Sequence, residues 1–317
     1  MVYDIVGDVH GHASELATLL EKLGYRRRGE LFEPAEPDRK TLFLGDFIDR
    51  GPEIRETIRL VRGMIDAGIA LSVMGNHEYN AVAFHTRDEE GRWLRSRTDP
   101  HIFQHIETLY QYRGRIGELE ELLRWCRTLP FYLEVPELRL AHAAWIPEDL
   151  ALISAIEPAG RALEDDGFLK RSAVSGSREY FAVEHILKGV EIELPEGVYF
   201  TDKEGFRRTN SRVAWWVDLE KERPETVGEI AFPTAVTDSA HPLEPSRLQL
   251  LRGYDEEKPL FLGHYWLTGT PQPQTNRIAC LDYSVAAGGK LVAYTYRGEE
   301  NLRADAFTTV ETRSAKR

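Results

Sequence analysis

Tyr3-Asp4-Ile5-Val6-Gly7-Asp8-Val9-His10-Gly11 joins a short apolar run to a turn in which glycines flank a carboxylate and an imidazole. The run from Tyr3 to Val6 is too short for a helix and ends at a glycine, so it predicts a buried strand delivering Asp8 and His10 at its carboxyl end. The same order recurs twice. Thr41 to Leu44 precedes Gly45-Asp46-Phe47-Ile48-Asp49-Arg50-Gly51-Pro52, and Ala70 to Met74 precedes Gly75-Asn76-His77-Glu78. Between the runs, Leu16, Leu19, Leu20 and Leu23, then Ile54, Ile58, Val61 and Ile65, repeat at helical spacing. Strand, helix and strand in alternation give an α/β fold, in which polar residues at the carboxyl ends of strands gather along one edge.

Further along, Glu118 to Arg127 reads as helix, and Phe131 to Val135 and Leu138 to Ala141 read as strands, the last ending at His142. Strand patterns return at Leu260 to Leu262, just before His264, and at Ile278 to Leu281 and Leu291 to Tyr296. The stretch between carries one clear helical segment, Glu179 to Lys188, and a turn-rich region around Pro195 to Asn210. The expected organisation is a single domain over residues 1–317, with an elaboration or cap at about 147–259 and a disordered tail at 308–317.

Bulk properties narrow the function. A chain of 317 residues with 42% hydrophobic residues can bury a sizeable core. A net charge of −12 argues against general nucleic-acid or membrane binding, which needs a basic surface. No apolar run approaches the ~20 residues that cross a bilayer, and a cytoplasmic location is expected. Cys126 and Cys280 have no metal-like spacing and read as small buried hydrophobes. Arg26-Arg27-Arg28 reads as a solvated turn.

Carboxylate, imidazole and amide oxygen are the donors that hold hard or borderline divalent cations, and a two-ion site needs one carboxylate able to bridge. Asp8 and His10 supply the first pair, Asp46 is the natural bridge, and Asn76 offers an amide oxygen. His142 and His264, isolated at strand ends, complete the set.

These clusters, in this order and strand-end context, resemble the signature of the phosphoprotein phosphatase family within the calcineurin-like metallophosphoesterases. The resemblance covers residues 4–78 and the two late histidines. It implies an αββα sandwich with a long insertion between His142 and His264, and a bacterial enzyme holding two divalent metal ions, manganese first, with iron, zinc or nickel as alternatives. It implies Asp8 and His10 on one ion, Asp46 as bridge, and Asn76, His142 and His264 on the other. His77 matches the general acid, Asp49 the carboxylate that orients it, and Arg50 the arginine that clamps phosphoryl oxygens. Two ions about 3.5–4 Å apart would then acidify a bridging water for in-line attack on phosphorus. Arg212, in the stretch Arg212 to Asp218 with its paired Trp215 and Trp216, is a weaker match to a second phosphate-binding arginine; the paired tryptophans read as core.

Three functions compete. Hydrolysis of phosphomonoesters, on phosphoserine or phosphothreonine proteins or on small phosphorylated molecules, is first, because Asp49 preserves the carboxylate that orients His77. Symmetrical hydrolysis of dinucleoside tetraphosphates is the alternative: the layout from Leu138 onward resembles that branch, whose best-known enzymes carry a small residue where Asp49 stands. A non-catalytic binding module is third and conflicts with the complete donor set. His12 reads as an exposed helix-start residue, and His85, His101, His105, His185 and His241 as ordinary. Glu78 reads equally as a second-layer support or a solvated strand end.

Overall fold

Each of the first three apolar runs is a strand that stops just short of its polar turn. The computed structural model describes residues 1–29, 31–201, 207–232, 236–242, 251, 253, 254 and 257–313. In chain order come β1 (Val2–Val6), α1 (Ala13–Lys22), the hairpin β2 (Tyr25–Arg28) and β3 (Leu31–Pro34), β4 (Arg39–Phe43), α2 (Ile54–Asp66) and β5 (Ala70–Ser72). Helices α3 (Asn76–His85), α4 (Asp99–Gln111) and α5 (Ile116–Arg127) then lead to β6 (Tyr132–Glu134) and β7 (Arg139–Ala141). The segment that follows holds α6 (Pro147–Ile156), α7 (Asp166–Ser172), α8 (Arg178–Lys188) and the short strands β8 (Glu191–Glu193), β9 (Phe200–Thr201), β10 (Arg207–Arg208) and β11 (Asn210–Arg212). The chain closes with β12 (Leu260–Leu262), β13 (Ile278–Cys280), β14 (Asp282–Tyr283), β15 (Lys290–Tyr296) and β16 (Phe307–Glu311).

Two sheets form the centre. The first runs β14-β15-β1-β4-β5, with β16 paired to β15; the second runs β13-β12-β7-β6. In the first, β1, β4 and β5 are parallel and β15 lies antiparallel to β1; in the second, β12 is parallel to both β7 and β13.

The period-2 alternation of strand side chains explains why the sheets stack. Tyr3, Ile5, Leu42, Val292, Tyr294 and Tyr296 of the first sheet share one apolar cluster with Leu140, Phe261 and Ala279 of the second. Their strand neighbours Val6, Phe43, Leu291, Ala293, Leu260, Leu262, Ile278 and Cys280 belong to another, which includes Leu16, Leu19 and Leu20 of α1, Ile54, Ile58 and Val61 of α2, and Ile186 of α8. One face of each sheet therefore meets the other sheet and the opposite face meets helices. This is the mixed α/β sandwich expected of the calcineurin-like fold. Parallel β1, β4 and β5, together with β7 and β12, all point their carboxyl ends toward the same edge.

Some readings change. Phe307–Glu311 is a strand registered along Lys290–Tyr294, so the expected disordered tail is ordered through most of its length, and residues 314–317 lie outside the described residues. Arg26-Arg27-Arg28 is exposed, but on a strand of the β2–β3 hairpin rather than in a turn. The turn-rich stretch from Pro195 to Asn210 contains β9 and β10, and part of it lies outside the described residues. Both cysteines are buried and free. Trp215 and Trp216 are buried edge to face at 5.7 Å, and Trp216 packs on Phe232 and Tyr265. Among the described residues no helix is long and apolar enough to cross a membrane.

Candidate metal centre

The loop after β1 and the loop after β4 are zipped together by main-chain bonds, with Val9 and His10 donating to the Asp46 carbonyl and Gly11 to that of Phe47. Glu78, fully buried at the start of α3, binds the second loop from the other side. Its carboxylate accepts from the backbone N–H groups of Asp46, Phe47 and Gly75 at 2.8 to 3.0 Å. Glu78 is thus a loop support. Burial, followed by the charge of Asp46, pushes its carboxyl up to about 7.

The bound loops hold strained backbone. His10, Asp46, Asp49, Arg50 and His264 have φ between 42° and 70°, a region that costs a non-glycine residue energy and clusters at functional sites. Two glycines permit the close approach. A Cβ on Gly75 would lie 2.1 Å from Asp46 Oδ1, and one on Gly263 would lie 2.1 Å from Asp8 Oδ1.

Asp46 sits at the middle. Its Oδ2 is 3.4 Å from His10 Nε2 and 3.4 Å from His142 Nε2. That is about the separation of two ligands that share one cation at bond lengths near 2.1 Å. Nδ1 of His10 donates to the Ile48 carbonyl at 2.9 Å and Nδ1 of His142 to the Leu44 carbonyl at 2.7 Å, so both rings turn Nε2 inward, as metal-binding histidines do. Asn76 Oδ1 lies 3.1 Å from His142 Nε2 and 2.8 Å from His264 Nδ1. Two groups of donor atoms result, His10 with Asp46 and His77, and Asp46 with His142 and His264. Asp8 belongs to neither three-residue group. Its Oδ2 accepts from the His264 backbone N–H at 3.0 Å, and Oδ1 is buried without a hydrogen-bond partner.

The fit to cations rests on atoms and charges. Asp8 Oδ1, His10 Nε2 and His264 Nε2 are buried with no hydrogen-bond partner, which is costly for polar atoms unless a cation satisfies them. Burial, then Asp282, pushes the Asp8 carboxyl well above the usual range. Burial acts the same way on Asp46, but the imidazoles of His142, His77 and His10 outweigh it and hold Asp46 low. Burial, then His77, pushes His10 down to about 3, leaving it neutral as a ligand must be. His142 goes the other way: burial opposes its charge, yet Asp46 and Asp8 lift it to about 10. The residues fit divalent cations, whose charge would take the place of the proton that Asp46 and Asp8 draw onto His142.

His77 stands beside this centre. Its backbone N–H donates to Asp46 Oδ1 at 2.9 Å, its Nδ1 to Asp49 Oδ2 at 2.6 Å, and its Nε2 is 4.0 Å from Asp46 Oδ2. Arg50 is exposed, with its guanidinium 3.9 Å from the ring centre of Trp266. The Trp266 backbone N–H donates to Asp282 Oδ2 at 2.8 Å. Arg212 lies farther out on β11, where Nε donates to the Lys188 carbonyl at 3.0 Å; after burial, its charge is the largest influence depressing His264.

Sequence reasoning missed three residues. His105 and Thr108 of α4, taken as ordinary or not noticed, both hydrogen-bond Asp49 Oδ1, at 2.7 and 2.5 Å. Hydrogen bonds from His105 and His77 overcome burial and hold Asp49 below the usual carboxylate range. The available signal was a polar stripe, His101, Gln104, His105, Thr108 and Gln111, at helical spacing. His12, expected at the surface, is buried with Nδ1 2.7 Å from the His10 carbonyl.

The calcineurin-like phosphoesterase family model matches residues 1–154. An asymmetrical bis(5'-nucleosyl)-tetraphosphatase of Bacillus subtilis is 42% identical over 164 residues, 47% of this chain and 60% of the relative. A symmetrical bis(5'-nucleosyl)-tetraphosphatase of Shewanella frigidimarina is 29% identical over 174 residues, 53% of this chain and 55% of the relative. The chain therefore spans less than two thirds of the length of these relatives. A serine/threonine phosphatase from Saccharomyces cerevisiae shares the fold at 13% identity with a TM-score of 0.51, covering 100% of this chain and 81% of that one. The zipped strand-end loops and their shared carboxylate lie within the residues that match the calcineurin-like phosphoesterase model, just under half of the chain.

Proposed function

We propose that this protein hydrolyses phosphate esters at a centre of two divalent metal ions, held by Asp8 and His10 on one side, Asp46 between, and Asn76, His142 and His264 on the other. The observation that carries this reading is Asp46 Oδ2 standing 3.4 Å from both His10 Nε2 and His142 Nε2, with the His77–Asp49 pair alongside. When bound, the ions would supply positive charge against the phosphoryl group and an acidified water. His77 holds the proton for the departing oxygen at Nε2, and Asp49 fixes the ring through Nδ1. Arg50, braced against Trp266, clamps phosphoryl oxygens. Arg212 is a further, outer contact for the substrate's anionic groups.

An oriented acid helps most when the leaving oxygen is basic, which favours phosphomonoesters of alcohols, small or on serine and threonine. The names of the relatives that match at 42% and 29% identity favour dinucleoside tetraphosphates as a second reading. Purified protein loaded with manganese, offered p-nitrophenyl phosphate, a phosphoserine peptide and diadenosine tetraphosphate, separates them. Turnover of the monoesters supports the first reading, turnover of the dinucleotide alone replaces it with the second, and no turnover of any overturns both.

A further inference from the structure

Helix α4 is amphipathic in an inverted sense. Phe103 and Tyr110 on its outer side are 72% and 70% exposed, while the stripe containing Gln104, His105, Thr108 and Gln111 faces the loop after β4. Helices ordinarily turn apolar side chains inward. Here the inward groups meet polar groups of that loop and of the helices beside it. Gln111 caps the Ile54 N–H and donates to the Gly51 carbonyl, and Gln104 Nε2 reaches to 3.5 Å from His77 Nε2.

Asp49 receives the most. Thr108 Oγ1 accepts from its backbone N–H at 3.0 Å and donates to Oδ1 at 2.5 Å, and His105 Nδ1 donates to the same oxygen at 2.7 Å. Oδ2 is left to His77 Nδ1 at 2.6 Å. His105 is itself pinned. It is 4% exposed, its Nε2 is 3.2 Å from His85 Nε2, and its ring centre lies 5.3 Å from that of Phe84. A carboxylate held on one oxygen by two donors from a fixed helix cannot rotate away from the histidine on its other oxygen.

We propose, resting on the hydrolase reading above, that His105 is a positioning residue for proton delivery to the leaving group, and that it adapts the site to phosphate esters of weakly acidic alcohols rather than to activated esters or phosphoanhydrides. In the step it serves, the ester P–O bond breaks with its electron pair on the alcohol oxygen, and that oxygen takes the proton from His77 Nε2. A water forms the replacing P–O bond and releases a proton to solvent. Nitrophenolate and phosphate anions depart stably without a proton; phenolate and alkoxides gain much more from one.

The test uses the manganese-loaded full chain with p-nitrophenyl phosphate and phenyl phosphate. Asparagine places its amide nitrogen where Nδ1 stands, and glutamine places its own where Nε2 stands. His105→Gln should lower kcat for phenyl phosphate about tenfold or more and the phenyl to nitrophenyl rate ratio by a similar factor, at unchanged KM and metal content. His105→Asn should restore the ratio to within about threefold of wild type. An equal fall for both esters, or full function in His105→Gln, overturns the positioning role while leaving the hydrolase reading intact. A wild-type protein that turns over neither ester overturns the monoester reading and this inference with it.

Discussion

In the proposed reaction Asp46 binds metal and His77 transfers the proton, so changes at the two separate these roles. Asp46→Asn should lower the bound metal below two ions per chain by elemental analysis, because the amide removes the charge that faces His10 and His142 together. His77→Ala should keep the metal yet lower kcat by about 10²-fold or more for poor leaving groups; equal rates for the variant and wild type would remove His77 from its role. His85 makes a different point. Burial, then His105 and Arg97, pushes its imidazole from 6.5 down to about 4. The unfolded chain therefore takes up that proton more readily, so the stability it contributes is full above pH 6.5 and is lost as pH falls toward 4. His85→Gln should flatten the fall in denaturation midpoint across that window. Asp8, His10, Asp46, Asp49, Arg50, Asn76, His77, His142 and His264 were all legible as candidates because each follows an apolar run or belongs to a glycine-punctuated turn. His105 was not, since the long-range contact with Asp49 leaves no spacing between the two to read.

At the scale of elements, the strands were readable and the helix that matters most beside the site was not. β1, β4 and β5 announce themselves by apolar runs ending at glycine, and α1 and α2 by apolar residues on one face. α4 lacks an apolar inward stripe because its inner face meets polar loop groups, so a hydrophobic period could not reveal it. Glu78 shows what the first turn of α3 contributes. Its carboxylate bonds three backbone N–H groups at 2.8 to 3.0 Å, and Glu78→Ala would orphan them in a buried place. The variant should be destabilised by about 3 kcal/mol or more in denaturant unfolding. A loss under about 1 kcal/mol would mean that the loops hold without it.

For the whole molecule, the decisive fact is that two sheets end at one edge and bring buried carboxylates together. Asp8, Asp46 and Asp282 are all nearly inaccessible, and cations that would neutralise them in the proposed centre should bind the folded chain alone. Removing metal with a chelator should therefore lower Tm, and returning manganese should restore it in a concentration-dependent way. In the middle of β1, Asp4 is buried against Arg39, with Nε and Nη2 donating at 2.5 and 2.8 Å, and accepts from Tyr25 and Thr295. Asp4→Ala should cost about 3 kcal/mol by leaving the buried Arg39 with only the exposed Glu36 at 3.7 Å, without changing the number of metal ions bound. The sequence by itself determined the α/β alternation, the strand-end position of the candidate ligands and the chemistry of the donor set, because hydrophobic period and glycine punctuation are local properties. Only the tertiary structure decided that Tyr3, Ile5 and Leu42 face a second sheet, that the last strand pairs with β15, and that α4 fixes Asp49. Those depend on which surfaces meet across hundreds of residues, and side-chain period alone does not specify the partner.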